Sequence, residues 1–339
     1  MIFMRASFLL LIILLIGCEH ASSHQQRFLQ FGTLIDVTVI SDADKAMSAF
    51  DEIESYLKLR HQQWHGWEDG TLKQFNDTLS QQPEAGLAVP EILEALITRS
   101  KYYFDATDGL FNPAMGKLIA AWGFHDHSEP DRVTIERIQK NIPGMDDLKI
   151  KDQLAYSTNQ DLQLDFGAIA KGLAVKEIAQ KLNQFNIQNF IINAGGDIYA
   201  QGHKPDNKFW RIAIEDPFEP GIVTSLEVRE NTSIFTSGNY QRFFKDEDGN
   251  IRHHIINPKT GAPSATISSA TVIHEDPMIA DVAATVLMLT DIEDAKQMAQ
   301  RLKISDYLII NEQKQVFASP SMLTRLDLSS LQRFSVHPL

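Results

Sequence analysis

Apolar and polar positions change period along this chain, and the changes divide it into elements. FGTLIDVTVI (31–40) alternates apolar and polar side chains, the period of a half-buried strand. Residues 43–59 then repeat at helical spacing. WHGWEDG (64–70) interrupts the pattern as a loop with two tryptophans, and a short helix follows. Pro90 opens a helix over EILEALITRSKYYF, which runs into a turn and a further helix within residues 105–124. Residues 130–147 read as helix and loop. Beyond residue 150 strands dominate. NFIINAGGDIYAQG (189–202) predicts two strands around a glycine turn, and WRIAIEDP and IVTSLEVR predict two more. Residues 236–258 predict a hairpin turning at Asp248-Gly249-Asn250. ATISSATVIH reads as a strand, and PMIADVAATVLMLT (277–290) as a helix buried almost all round. An amphipathic helix and short terminal strands complete the chain. No internal repeat is visible. A helix-rich first half and a strand-rich second half predict an α+β fold, a mixed sheet flanked by helices.

One conflict stands out in LDFGAIAKGLAVKEIAQKL (164–182). Leu162, Leu164 and Phe166 alternate with Asp161, Gln163 and Asp165, which predicts a strand ended by Gly167. From Ile169 the apolar residues Leu173, Ala174, Ile178 and Leu182 keep helical spacing. Lys171 therefore falls in the first helical turn, where the macrodipole disfavours a cation by typically a few tenths of a kcal/mol. A bound anion such as a phosphate would resolve the conflict; a solvated surface lysine is the plainer alternative.

A second anomaly lies in the buried helix. Asp276 is a natural N-cap and Pro277 suits the first helical position, which leaves Asp281 too deep to cap anything. Its neighbours are apolar, and a buried carboxylate needs a charged partner or a metal. Thr285, four residues on, projects from the same face. Two hard oxygen donors suit Mg²⁺ beside a phosphate; a backbone group or an arginine would satisfy the carboxylate equally. Gly195-Gly196 marks either an approach point for a ligand or a tight turn, and it is not the G-x-G-x-x-G fingerprint. His253 and His254 are adjacent on a strand and point to opposite faces, so only one serves a given site; His254 is the candidate acid/base.

Composition narrows the setting. Residues 1–23 carry a basic Arg5, an apolar run from Phe8 to Ile16, and then Gly17-Cys18, the layout of an export signal. The cysteine after a small residue resembles a bacterial lipobox. The expected organisation is a lipoprotein signal peptide over 1–17, lipidation at Cys18, a polar tether over 18–30 and a single domain over 31–339. The protein would sit in the bacterial cell envelope, with its domain in the periplasm. Cys18 is the only cysteine, so the mature domain has no thiolate chemistry and no disulfide. The formal charge of −13 becomes −14 without Arg5, and no basic run appears, which argues against a nucleic-acid partner. Asp165-Phe166-Gly167 lacks the other kinase motifs, and neither G-x-S-x-G nor a P-loop is present.

Six blocks in order resemble the ApbE family, flavin transferases that move FMN from FAD onto a protein. They are TDGLFNPAMGKLIAAWGF (107–124), LDFGAIAKGLAV (164–175), INAGGDI (192–198), TSGNYQRFF (236–244), HIINPKTGAP (254–263) and ADVAAT (280–285). The resemblance covers roughly residues 27 to 335 and implies an ApbE-like (T-fold-like) fold with FAD as substrate. It implies that Lys171 meets the FAD phosphates and that Asp165 contacts FAD. The Ala168 carbonyl, Asp281 and Thr285 would hold Mg²⁺ against the pyrophosphate. Leu110, Phe111 and Asn112 would contact the flavin nucleotide, as would Phe31 in the Phe31-Gly32-Thr33 opening and Ile256 beside His254. His254 matches the family's essential histidine. The implied reaction is attack by a serine or threonine hydroxyl of an acceptor flavoprotein on the FMN-side phosphorus, with AMP leaving; Lys171, Asp281 and His254 would carry the catalysis, His254 or a nearby carboxylate taking the proton.

Phe31 stands where the family has methionine, and Asn112 and Asn257 where it has aspartates. Trp64 or Trp67 falls near the family's flavin-facing aromatic. Three rival readings use the same observations: an Mg²⁺-dependent FAD pyrophosphatase, a non-enzymatic FAD-binding lipoprotein and a solute-binding lipoprotein. The strand-rich second half argues against the last. Acceptors of the family carry a Ser/Thr-rich motif, which Ser268-Ser269-Ala270-Thr271 resembles faintly, but a predicted strand makes self-modification a poor expectation.

Overall fold

Alternation decides the central strand. In Thr33–Ser41 the side chains of Ile35, Val37, Val39 and Ser41 are buried and their neighbours, on the opposite face, are less so. The computed structural model describes residues 22–124, 128–240, 243–245, 251–264 and 266–339. Its main sheet has nine strands. Across the sheet they run Ser22–Gln30, Thr33–Ser41, Phe190–Ala194, Asp197–Gln201, Thr232–Gly238, Ile267–His274, Asp306–Asn311, Gln315–Ala318 and Ser335–Pro338. Neighbours are antiparallel except the last pair, which is parallel. The fold is α+β with a mixed sheet, as the pattern predicts.

Each face of the sheet has its own core. Helices Ala43–Trp64, Ala170–Gln184 and Pro277–Leu287 cover one face and bury Phe50, Val175, Val286 and Phe235. The hairpin Trp210–Glu215/Ile222–Val228 and the helix Pro320–Arg325 cover the other with Trp210, Leu226, Ile234 and Met322. Ile234 and Phe235 are sequence neighbours serving opposite cores, as the two-residue period of a strand requires.

Two expectations fail for physical reasons. Residues 22–30 are not a tether: Ser22–Gln30 is the edge strand, paired residue for residue with Thr33–Ser41. Its polar composition reflects a face and an edge open to water, yet Phe28 is buried and Arg27 makes a two-pronged bond to Asp36 at 2.6 and 2.9 Å. Residues 162–166 are extended but join no sheet ladder. Gln163 forms an isolated bridge to Met115, and the Asn76 amide takes the Leu164 N–H at 2.9 Å and donates to its carbonyl at 2.8 Å. One side chain thus supplies the partners that a neighbouring strand would otherwise provide.

The hairpin strands Phe243–Lys245 and Ile251–His253 pair antiparallel, while the expected turn at 248–250 lies outside the described residues, as does the segment 1–21 with Cys18. No helix among the described residues is long and apolar enough to cross a membrane.

Phe28→Ala separates a packed strand from a tether. It should lower the free energy of unfolding by about 3 kcal/mol, measured by urea denaturation; a tether would tolerate it without change.

Candidate active site

Helix Ala170–Gln184 starts at Ile169, which offers no side-chain cap, so its first N–H groups need outside partners. Asp281 provides one, its Oδ2 accepting the Gly172 N–H at 2.8 Å. Ala168, half-buried, lies in the turn just before this helix. Gly172 makes the arrangement possible. A Cβ there would lie 2.6 Å from the Pro277 carbonyl oxygen and 2.8 Å from the Asp281 Cβ, so only glycine lets the two helices approach so closely.

Lys171 is half-buried and has protein partners. Its ammonium pairs with Asp197 and lies 3.8 Å from Asp281 Oδ1. Asp197 is buried just beyond the Gly195-Gly196 turn, and its Oδ1 accepts the Thr236 N–H at 3.0 Å. A Cβ on Gly195, whose φ is +68°, would overlap Thr33 Oγ1 at 2.1 Å; the tight glycine turn therefore seats the Phe31-Gly32-Thr33 hairpin beside Asp197. Two carboxylates around one lysine leave a surplus negative charge. Burial pushes the Asp281 carboxyl up to about 6, against the pull of Lys171 and the Gly172 N–H, and Asp197 adds to the push. Thr285 stands one turn beyond Asp281, its Oγ1 3.2 Å from Ser237 Oγ. Hard oxygens and surplus negative charge fit a small divalent cation.

The flavin-side candidates divide into side chains that can reach a ligand and side chains that cannot. Phe31 is half-buried in a two-residue hairpin turn, with φ of +55° where phenylalanine is strained. Its N–H donates to His61 Nδ1 at 3.2 Å, and its ring stacks on buried Trp64 with centroids 6.2 Å apart. Trp64 is thus a platform behind Phe31, and Trp67 lies on the loop beyond it, half-buried. Leu110, Phe111 and Ile256 are core side chains, so only their backbone can meet a ligand. Asp165 is half-buried; its Oδ1 accepts the Gly167 N–H at 2.8 Å, and its N–H donates to the Pro113 carbonyl at 2.8 Å. That bond joins the 110–113 turn to the start of the Lys171 helix. His253 is buried and His254 half-buried; the strand Ile251–His253 ends before His254, which lies in a bend rather than on the strand as expected. Their segment is braced to the buried helix by Ser264 Oγ, which donates to the Met288 carbonyl at 3.1 Å. Ser268, Ser269 and Thr271 are buried in the sheet and closed to modification.

His61, His65 and Glu68 also bring three metal-capable groups within 4.8 Å of one another. Backbone N–H groups of Phe31 and Glu68 occupy Nδ1 of His61 and His65, at 3.2 and 2.9 Å. The neutral rings therefore carry hydrogen on Nε2, towards Glu68, the reverse of what a metal at Nε2 needs. This trio braces the Phe31 turn.

Asp197 and Ser237 are the site residues that sequence reasoning missed. A carboxylate directly after a Gly-Gly turn, inside an apolar strand pair, was the available signal for the first.

The two asparagines are structural. Asn112 Oδ1 accepts the Ala114 N–H at 3.1 Å while its Nδ2 donates to the Pro143 carbonyl at 2.8 Å. Asn257 Oδ1 accepts the Lys259 N–H at 2.8 Å. Accepting an N–H suits amide and carboxylate alike; donating to a carbonyl does not. Asn112→Asp should therefore cost about 1–3 kcal/mol of stability, whereas Asn257→Asp should stay within about 0.5 kcal/mol of the parent, both read from urea midpoints.

Comparison with known proteins identifies the family and the fold. The model of the ApbE family matches residues 31–309. An FAD:protein FMN transferase of Rhodobacter capsulatus is 32% identical over 309 residues, spanning 89% of this chain and 58% of that protein. One from Vibrio cholerae is 29% identical, over 88% of this chain and 91% of its own. The crystal structure of the ApbE protein from Thermotoga maritima superposes with a TM-score of 0.80 at 26% identity, covering 90% of this chain and 99% of that one. This chain belongs to the ApbE family.

Proposed function

We propose that this protein is an Mg²⁺-dependent FAD:protein FMN transferase. It moves FMN from FAD onto a serine or threonine hydroxyl of an acceptor flavoprotein, through a phosphoester bond, and releases AMP. The observation that carries the reading is the cluster of Lys171, Asp197 and Asp281 at a helix start, with Thr285 one turn on. The names of the similar proteins support the flavin chemistry.

Asp281, Thr285 and the Ala168 carbonyl would hold the metal ion. Once bound, Mg²⁺ draws charge from the pyrophosphate oxygens and makes the phosphorus a better electrophile. Lys171 would meet the phosphates and offset charge that grows as the bond to AMP breaks. Asp165 and the 110–113 turn orient the flavin nucleotide, and Phe31 offers it a ring fixed by Trp64. The acceptor oxygen attacks the FMN-side phosphorus, its proton passes to His254, and AMP leaves with the bridging oxygen. Cys18 would carry the lipid that anchors the protein in the cell envelope, the domain lying in the periplasm.

The test uses the soluble chain after Cys18 with FAD, Mg²⁺ or EDTA, and a protein bearing a Ser/Thr flavinylation motif. AMP should appear only with Mg²⁺, matched by flavin bound covalently to the acceptor. Asp281→Ala and Lys171→Ala should each slow it by about 100-fold or more. AMP matched by free FMN would make the protein a pyrophosphatase, and FAD left intact would make it a binding protein.

Asp281 also sets a pH dependence. The metal must displace its proton below about pH 6, so Mg²⁺ affinity measured by calorimetry should be flat above that pH. At pH 5 it should be roughly tenfold weaker.

A further inference from the structure

The turn beside the Lys171 site carries a residue that the turn itself does not call for. Phe31-Gly32 joins two strands whose last ladder pair is Gln30↔Thr33, and both turn residues have positive φ, +55° and +68°. Asparagine-glycine fits such a turn with less strain than phenylalanine-glycine. Two side chains nevertheless hold Phe31 there. Its N–H, outside the ladder, donates to His61 Nδ1 at 3.2 Å. The His61 ring meets the Phe31 ring edge-on at 5.6 Å, and Trp64 stacks on it at 6.2 Å. Strain that is braced in this way marks a position kept for function.

We propose that His61 is a positioning residue for the flavin ring of FAD. It holds the Phe31 ring as one wall of the flavin subsite, and Glu68 keeps His61 in the tautomer that can do so. The proposal rests on FAD being the substrate. Nδ1 of a neutral imidazole accepts an N–H only when the ring hydrogen is on Nε2. Glu68 Oε2 lies 3.3 Å from that Nε2 and favours hydrogen there. Glu68 is itself set by its own N–H, which donates to His65 Nδ1 at 2.9 Å, and the His65 ring packs 4.9 Å from His61.

Both ends of this brace abut the site. Thr33, two residues after Phe31, seats against Gly195, where a Cβ would lie 2.1 Å from Thr33 Oγ1; Asp197 beyond it pairs with Lys171. Gly66, two residues after Trp64, packs at Leu164: a Cβ there would lie 3.4 Å from the Leu164 carbonyl oxygen, one residue before Asp165. Trp64 is buried, so the half-buried Phe31 is the ring of that stack left to meet a ligand. Stacking of a flat ring on Phe31 depends on the plane in which Phe31 is held. His61 therefore acts through Phe31, and on the flavin half of FAD alone, because the pyrophosphate is met by Lys171 and the metal ion.

The experiment compares FAD with ADP-ribose, which keeps the pyrophosphate and adenosine but lacks the isoalloxazine. Affinities are measured by calorimetry with Mg²⁺ and no acceptor protein. His61→Ala should weaken FAD about tenfold and leave ADP-ribose within about twofold of the parent. The retained ADP-ribose affinity also shows that the variant is folded. His61→Asn, whose Oδ1 can replace Nδ1 as the acceptor, should recover most of the FAD affinity. Unchanged FAD affinity in His61→Ala, or a His61→Asn variant as weak as His61→Ala, would overturn the proposal. So would an equal loss for both ligands, which is what a general loosening of the fold gives. A parent that binds no FAD sinks the FAD reading and this proposal together. A parent that binds FAD, with His61→Ala binding it equally well, loses only the role of His61.

Discussion

The close approach of helix Pro277–Leu287 to helix Ala170–Gln184 at Gly172 is the contact on which the site depends, because it carries a buried carboxylate into the first turn of a helix that already bears a lysine. A side chain at 172 would hold the helices apart, and Asp281 would lose its bond to the Gly172 N–H. The same contact explains the electrostatics. Asp281 is buried by the packing that brings it close, so its charge is costly until a cation shares it. Lys176 bonds to Asp276 at 2.5 Å and ties the same helices together again at the N-cap.

Charge balance links this contact to the sheet. Asp197 arrives from the turn at Gly195-Gly196, and Thr236 on the neighbouring strand fixes it through a backbone N–H. Lys171 alone cannot neutralise both carboxylates, and a lone buried surplus charge is unfavourable. The protein accepts that cost where a divalent cation and a pyrophosphate could together restore neutrality. Local strain at a functional site follows the same logic in Phe31, whose positive φ is sustained by His61, Trp64 and the hairpin.

The two asparagines show how a family pattern can mislead when read as charge. Read from sequence, they stand where the family has aspartates. In the structure each is a turn-forming acceptor, and Asn112 adds a donor bond that an aspartate cannot make. Their side chains brace the turns in which they sit.

Periodicity along the chain determined the strand Thr33–Ser41, the buried helix with its Asp276 cap and Pro277 start, and the placing of Lys171 in a first turn. These follow from local rules, since side-chain spacing and capping act over a few residues. Asp281 and Thr285 were also legible, as an oxygen pair too deep in an apolar helix for any local use. Only the tertiary structure decided that the polar stretch Ser22–Gln30 is an edge strand, that Asn76 replaces a ladder at Leu164, and that Asp197 is Lys171's partner. In each case the deciding group is distant in sequence or the outward face is wet. A hydrophobic pattern records which side of an element is buried; it does not record which distant group completes a hydrogen bond or balances a charge.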